Sequence, residues 1–132
     1  MIPSGSNTAL KALIEHAAAF SSKDNETYVE ALALPFVHLW PDGEIVCHDT
    51  PADIDLFDHY AGGGIAVEKF GRTELDAADL ILDWERLKTF YVKVTRYTQD
   101  GVPLGQSEAI WVAVRTEKSW KLKLRIGAAR IK

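Results

Sequence analysis

The second half of the chain consists of stretches in which apolar and polar residues alternate. The clearest is residues 120–126, WKLKLRI, where four apolar side chains alternate with three basic ones. A period of two predicts a β-strand with one face buried and the other in water. Similar patterns predict strands at residues 75–84, 90–98 and 107–116. A change of phase at residues 78–79 predicts a β-bulge that bends the first of these.

The first half of the chain has the residue spacing of helices. Apolar residues recur every three or four positions over residues 7–22, and a second, shorter helix is predicted directly after them. Residues 36–40 and 44–48 are predicted to form a small β-hairpin. Thr50-Pro51-Ala52-Asp53 is typical of a helix start and predicts a third helix, which ends at the triple glycine 62–64. Helices followed by strands predict an α+β fold.

The composition is that of one globular domain. The 132 residues, 47% hydrophobic and 26% charged, are enough for a core and too apolar for a disordered chain. We therefore interpret residues 1–132 as a single domain in which residues 1–6 are flexible. Without a signal-peptide pattern or an apolar run of membrane length, the expected location is the cytoplasm, with no membrane association. The single Cys47 excludes an intramolecular disulfide and is expected to be a small buried side chain.

Charge is distributed unevenly along the chain. Residues 1–85 carry 16 acidic and 4 basic side chains, whereas residues 86–132 carry 3 acidic and 11 basic ones. Since the basic residues alternate with apolar ones, we predict that they form one solvated sheet face and not a nucleic-acid site. Arg96 shares the phase of the apolar residues of its strand, and it is expected to pair across the sheet or to reach a carboxylate in the interior. Asp55 and His59 are one helical turn apart, but two ligands without a third define no metal site.

Several segments resemble the NTF2-like superfamily, the cone-shaped α+β fold that includes ketosteroid isomerase, scytalone dehydratase and the SnoaL-like polyketide cyclases. The resemblance covers roughly residues 8–126. It is carried by AFSSKD at 19–24, LPFVH at 34–38, TRYTQDG at 95–101 and the segment 113–122, which contains AVR and SWKL. The resemblance implies a curved, mostly antiparallel sheet with three helices of the first half packed on its concave face. It also implies an internal pocket and dimerisation through the open sheet face.

Of the three positions that carry the catalytic groups of ketosteroid isomerase, only one has a usable side chain in this sequence. His16 stands where the isomerase has a proton-donating tyrosine on its first helix. Trp40 stands near the place of the carboxylate base, and Ile110 stands near the place of the second, carboxylic acid donor. Neither of these two side chains can do that work. Isomerase activity of that kind is therefore not predicted.

We predict that the pocket binds a small, largely apolar molecule without a cofactor or a metal. The residues expected to form its wall are His16, Phe20, Tyr28, His38, Trp40, Phe57, Tyr60 and Trp111. His16 is the first candidate for acid–base chemistry, because imidazole titrates near neutral pH. Dehydratase-like chemistry around a water molecule would add His38 and Asp42 as catalytic groups.

The alternative is a non-catalytic module whose cone is filled by its own side chains. Its sheet face would then bind a partner protein or a second copy of the chain. The missing carboxylates favour this module, whereas the histidines and aromatic residues favour a ligand site. A homodimer is predicted through the sheet face that carries Tyr91, Tyr97 and either Ile110 or Trp111.

Overall fold

The computed structural model describes residues 4–55, 69–117 and 119–127. They form two α-helices, one 3-10 turn and six β-strands, so the predicted α+β class is confirmed. The helices and the turn are α1 (Ser4–Ser21), α2 (Asn25–Glu30) and the 3-10 turn Pro51–Asp53. The strands are β1 (Leu32–Leu39), β2 (Ile45–His48), β3 (Phe70–Asp83), β4 (Leu87–Thr98), β5 (Pro103–Arg115) and β6 (Trp120–Gly127). Neither α-helix of this described part has the length and apolar character that a membrane crossing requires.

All six strands belong to one sheet with the order β2-β1-β6-β5-β4-β3. The strands from β3 to β6 pair in succession as antiparallel neighbours, as expected of strands joined by short turns. β1 pairs antiparallel with β2 and parallel with β6. The prediction of a mostly antiparallel sheet is therefore confirmed, with one parallel pair, β1 with β6, next to the β2 edge.

Helix α1 covers the inner face of the sheet. Its buried residues Ala9, Leu13, Ala17 and Phe20 form one stripe at helical spacing. This stripe packs against strands β3, β5 and β6. The sheet contributes buried apolar side chains to the same core, among them Phe90, Val92, Val94, Ala109, Trp111 and Leu122. The core therefore lies between one helix and the concave side of the sheet.

The end of α1 is tied to β3 by a side chain. The Ser21 hydroxyl accepts a hydrogen bond from the Thr73 backbone N–H at 2.8 Å and donates to the Ala17 carbonyl at 2.8 Å. A new helix begins soon after, where the Asp24 side chain accepts from the Glu26 backbone N–H. These bonds hold the last turn of α1, with its inward-facing side chains, against the sheet.

Two α-helices are present among the described residues, not the predicted three. The capping box of Thr50 and Asp53 forms as predicted, but the element that begins there is only the 3-10 turn Pro51–Asp53. Ile54 then has extended backbone angles, φ −102° and ψ 124°. Its carbonyl accepts a hydrogen bond from the Asn25 side chain at 3.1 Å. The later positions of the predicted helix, including Phe57 and Tyr60, lie outside the described residues.

Strand β3 is irregular, but not at the predicted place. Residues 78–79 pair regularly with β4, whereas the register shifts between residues 75 and 77 and again between residues 80 and 82. Each shift inserts one extra residue, which increases twist and bends the strand. The prediction of a bulged strand is therefore confirmed, and its predicted position is wrong.

A bulge in β6 reverses the faces predicted for its last residues. The register with β5 shifts between Leu122 and Leu124, so Lys123 is an extra residue. Such an insertion moves every following side chain to the opposite face of the sheet. Beyond it, Arg125 is only 3% exposed, while Ile126 is 38% exposed. The prediction that Arg125 lies on a solvated face is therefore wrong.

Cys47 is exposed, which corrects the prediction of a buried side chain. It lies on β2, the edge strand of the sheet. Its Sγ donates to the Asp49 carboxylate at 3.6 Å. Partial desolvation by its neighbours and the negative charge of Asp49 raise the pKa of the thiol. The thiolate form, which is the nucleophile, is therefore disfavoured at neutral pH.

Candidate functional site

A polar cluster lies in the core, between α1 and the inner sheet face. Its first member is His16, which is fully buried on the same helix face as Leu13 and Phe20. The imidazole centroid is 5.1 Å from the Trp111 ring, in an edge-to-face arrangement, and 5.6 Å from the Tyr28 ring. Aromatic rings from α2 and β5 therefore hold the imidazole in place.

Arg125 of β6 joins His16 in this cluster. Its Nη1 donates to His16 Nε2 over 3.4 Å. Because a guanidinium has only donors, this bond places the imidazole proton on Nδ1. The guanidinium lies 5.3 Å from the Trp111 ring and 5.5 Å from the Phe20 ring. Burial lowers the pKa of Arg125, and its hydrogen bond with the Tyr28 hydroxyl partly offsets this effect.

Arg96 brings a second guanidinium to the same region. It is 4% exposed on β4, and the carbon of its guanidinium lies 5.8 Å from the Phe20 ring centre. Burial lowers the pKa of Arg96 to about 10, and the positive charge of Arg125 contributes in the same direction. Both groups remain cationic at neutral pH. The interior of the domain therefore holds two like charges.

Neither buried arginine forms an ion pair with a carboxylate of the described residues. The ion pairs that do form among these residues are Lys11–Glu15, Arg72–Glu74 and Lys88–Asp83. The Nε atoms of Arg96 and Arg125 are buried and have no hydrogen-bond partner in this part of the chain. Burying a charge without a counter-charge is strongly unfavourable. Within the described residues, no carboxylate therefore neutralises these two charges.

The cluster borders a small cavity on the concave side of the sheet. The gaps between its wall atoms are too narrow to hold a water molecule. Ligand pockets usually exceed about 300 Å³, so this interior is closely filled. The wall consists of His16, Ala17 and Phe20 from α1, and of Thr73, Val94, Arg96, Trp111 and Arg125 from the strands. Trp111 Nε1 and Thr73 Oγ1 are buried without hydrogen-bond partners among the described residues.

His38 and Trp40 form a second pair at the end of β1. His38 is 1% exposed, its ring centroid is 3.9 Å from the Trp40 ring, and its Nε2 is 3.3 Å from the Gly127 carbonyl oxygen. His38 is the register partner of Arg125, so it is one strand away from the cluster. Asp42 is exposed in the following turn, where its carboxylate accepts from the Glu44 backbone N–H at 2.9 Å.

The structure brings together about half of the predicted wall. His16, Phe20, Tyr28 and Trp111 meet in the core, whereas Trp40 packs on His38 instead. The two arginines are absent from the wall that the sequence predicts. The sequence did indicate that Arg96 faces the interior, since this residue shares the phase of the apolar residues of its strand. Its expected ion pair is not formed among the described residues, and Arg125 carried no such signal.

A wider groove lies outside the cone, between α1 and α2. It has a volume of about 400 Å³ and is lined by Glu15, Ala18, Ala19, Thr27, Glu30 and Ala31. Within the described part of the chain, no group of three His, Cys, Asp or Glu residues is placed to hold a metal ion. Among the described residues, the two buried guanidinium groups of Arg96 and Arg125 are therefore the strongest candidate for a binding site.

Comparison with solved structures identifies the fold. A protein of unknown function with a cystatin-like fold from Nostoc punctiforme aligns with 92% of this chain and 87% of its own, at 13% identity and a TM-score of 0.72. An NTF2-like protein from Cytophaga hutchinsonii aligns with 95% of this chain and 97% of its own, at 14% identity and a TM-score of 0.69. A candidate calcium/calmodulin-dependent kinase II association domain from Exiguobacterium sibiricum covers 96% of this chain and 94% of its own, at 13% identity and a TM-score of 0.63.

The chain therefore has the NTF2-like fold, also described as cystatin-like, and the resemblance inferred from its sequence is confirmed at that level. Identities of 13–14% establish the fold alone. Neither models of protein families nor curated protein sequences match this chain. Because one fold supports many activities, a function has to be argued from the site.

Proposed function

We propose that the cone of this domain binds a small molecule at the polar cluster. The supporting observation is the burial of Arg96 and Arg125 without a carboxylate partner among the described residues. Buried charges contribute little to stability and commonly reduce it. Proteins tend to keep such local violations where a functional site needs the polar groups. A core with only a structural role would fill the same space with apolar side chains.

In this proposal the ligand contacts His16, Phe20, Tyr28 and Trp111 in addition to the arginines. The interior at the cluster is closely filled, so the ligand must be a small molecule. Because the gaps are narrow, binding requires the long arginine side chains to move apart. His38 and Trp40 border the site from β1, and the predicted contributions of Phe57 and Tyr60 remain part of the proposal.

If the ligand is a substrate, His16 is the proposed acid–base residue. Its Nε2 accepts from Arg125, so Nδ1 is the atom that offers a proton. A catalytic set that includes Asp42 has less support, because that carboxylate is exposed and engaged in its own turn. The fold and the site are compatible with binding alone as well as with catalysis.

Thermal denaturation with a panel of small molecules tests the proposal. The panel pairs neutral and charged compounds of the same size. A ligand at about a hundred times its Kd is expected to raise Tm by roughly 5–10 °C. His16→Gln should reduce this shift, whereas His48→Gln, outside the cone on β2, should leave it unchanged. If no compound in the panel raises Tm, the proposed binding function is wrong.

A second candidate function is self-association, and exposed apolar side chains favour it. Ile81 and Trp84, at the end of β3, are 56% and 59% exposed. On the outer sheet face, Tyr91 pairs in register with Ile110, and Ile110 with Ile126. Trp111 belongs to the core, so of the two residues named for this face only the half-buried Ile110 is available to it. The likeness to a candidate association domain adds support for assembly.

Light scattering in solution tests the proposed homodimer. We expect a mass twice the 14.7 kDa of one chain. The double substitution Ile81→Ser and Trp84→Ser should shift the equilibrium towards the monomer, because it removes apolar area from the proposed interface. Ile14→Ser, which alters an equally exposed residue of α1, is the matched control and should have no effect. A monomer at micromolar concentration would contradict the proposed dimer. Because the proposed location is the cytoplasm, we expect the dimer to form without disulfides.

A further inference from the structure

We infer that the molecule bound in the cone is a small monocarboxylate, with Arg96 and Arg125 as the two groups that recognise its charge. This inference rests on the proposed binding function and names the chemical class of the ligand. It differs from the largely apolar ligand that the sequence predicts, because the sequence pattern places Arg125 on the solvated face of the sheet.

The two guanidinium groups converge on one place. Their carbons lie 5.8 Å and 5.5 Å from the ring centre of the same residue, Phe20. Both arginines belong to the wall of the same cavity, although they come from β4 and β6. Two cations in an apolar interior repel each other strongly, since the effective dielectric constant there is low. A negative charge between them would replace this repulsion by attraction.

The wall offers donors and few acceptors. Arg96 Nε, Arg125 Nε and Trp111 Nε1 are buried donors without partners among the described residues. The Thr73 hydroxyl, also unpartnered there, can donate as well. A carboxylate has two oxygen atoms that accept several hydrogen bonds and match a guanidinium in bidentate geometry. One small anion can therefore satisfy a set of groups that are costly to bury alone.

The remaining wall explains why the anion should carry a short apolar part. Ala17, Phe20 and Val94 present hydrocarbon surface to the same cavity. Inorganic phosphate has no apolar portion to contact these side chains, and its larger charge is more expensive to remove from water. A long-chain acid would need much more of this closely packed interior to open than a short acid does. Short aliphatic acids and benzoate match the charge and the apolar wall, and the arginine side chains move apart to make room for them.

Calorimetric titration with matched acid and amide pairs tests the inference. The pairs are acetate with acetamide and benzoate with benzamide, which share shape and differ in charge. We expect an acid to bind wild-type protein at least about tenfold more tightly than its amide, as for a charge-assisted contact. Arg96→Met should weaken acid binding by about tenfold or more and leave amide binding unchanged. Arg115→Met, at an exposed arginine of β5, is the matched control and should bind like the wild type.

The outcomes separate this inference from the function on which it rests. If benzamide binds as tightly as benzoate, and Arg96→Met does not change this, the carboxylate inference is wrong and the binding function stands. If inorganic phosphate binds as tightly as benzoate, the site selects charge alone and the inference is also wrong. If neither the acids, the amides nor the neutral compounds of the thermal panel bind, the proposed function itself fails. The comparison of acid with amide uses wild-type protein, so it remains decisive even if Arg96→Met does not fold.

Discussion

Arg96→Met is expected to raise the free energy of unfolding by about 1–4 kcal/mol, the size of gain seen when whole buried ion pairs are replaced by apolar side chains of similar volume. The side chain is 4% exposed, and its Nε has no partner among the described residues, so the substitution removes few hydrogen bonds. Burial lowers the pKa of Arg96 to about 10, which means that folding disfavours the charged form. For a base with a lowered pKa, this penalty applies throughout the pH range below about 10 and decreases only as the pH rises above it. A measurement at neutral pH therefore includes the whole effect.

Urea denaturation followed by circular dichroism measures this change. The protein should be dialysed exhaustively first, because a bound anion would stabilise the wild type and not the variant. Arg115→Met, on the exposed end of β5, should change stability by less than about 0.5 kcal/mol. A loss of stability in Arg96→Met would show that the fold satisfies this guanidinium. The argument for an anion site would then lose its main support.

Trp111→Ala is expected to reduce the free energy of unfolding by about 3–5 kcal/mol, the usual cost of truncating a buried aromatic side chain. The residue is 2% exposed, and its ring packs against the His16 imidazole and under the Arg125 guanidinium. Truncation leaves a cavity between α1 and the sheet that the rigid strands cannot close. A domain of this size has a total stability of about 5–15 kcal/mol, so the variant should be close to unfolding.

Trp84→Ala is the matched control for this prediction. Trp84 is 59% exposed after β3, so the same truncation there should change stability by less than about 0.5 kcal/mol when both variants are measured dilute enough to be monomeric. The midpoint of urea unfolding, compared at equal slope, distinguishes the two variants. Equal midpoints for Trp84→Ala and Trp111→Ala would contradict the placement of Trp111 in the core.

The sequence predicts the elements well and their ends less well. A strand predicted at residues 90–98 is found as Leu87–Thr98, and one predicted at 107–116 is found as Pro103–Arg115. Alternation reports which face of a strand is buried, so it identifies the strand where that face is apolar. Strand ends depend on pairing with neighbours, which local periodicity does not contain.

The capping signature at Thr50 shows the limit of local signals. It correctly predicts the hydrogen bonds of the first turn, and a 3-10 turn forms there. Ile54, directly after this turn, has extended backbone angles, and its carbonyl accepts from the distant Asn25 side chain. Helix starts are local events, whereas helix length depends largely on tertiary packing.

The sequence by itself determined the α+β class, the helical first half and the strand-rich second half. Each of these follows from periodicity and composition, which act within a few residues of the chain. Only the tertiary structure decided that Arg125 faces the interior, because one extra residue at Lys123 reverses the phase of β6. That bulge is a property of pairing with β5, so the WKLKLRI pattern contains no sign of it. The same bulge brings Arg125 to Arg96, and the charge of the proposed site depends on this pair.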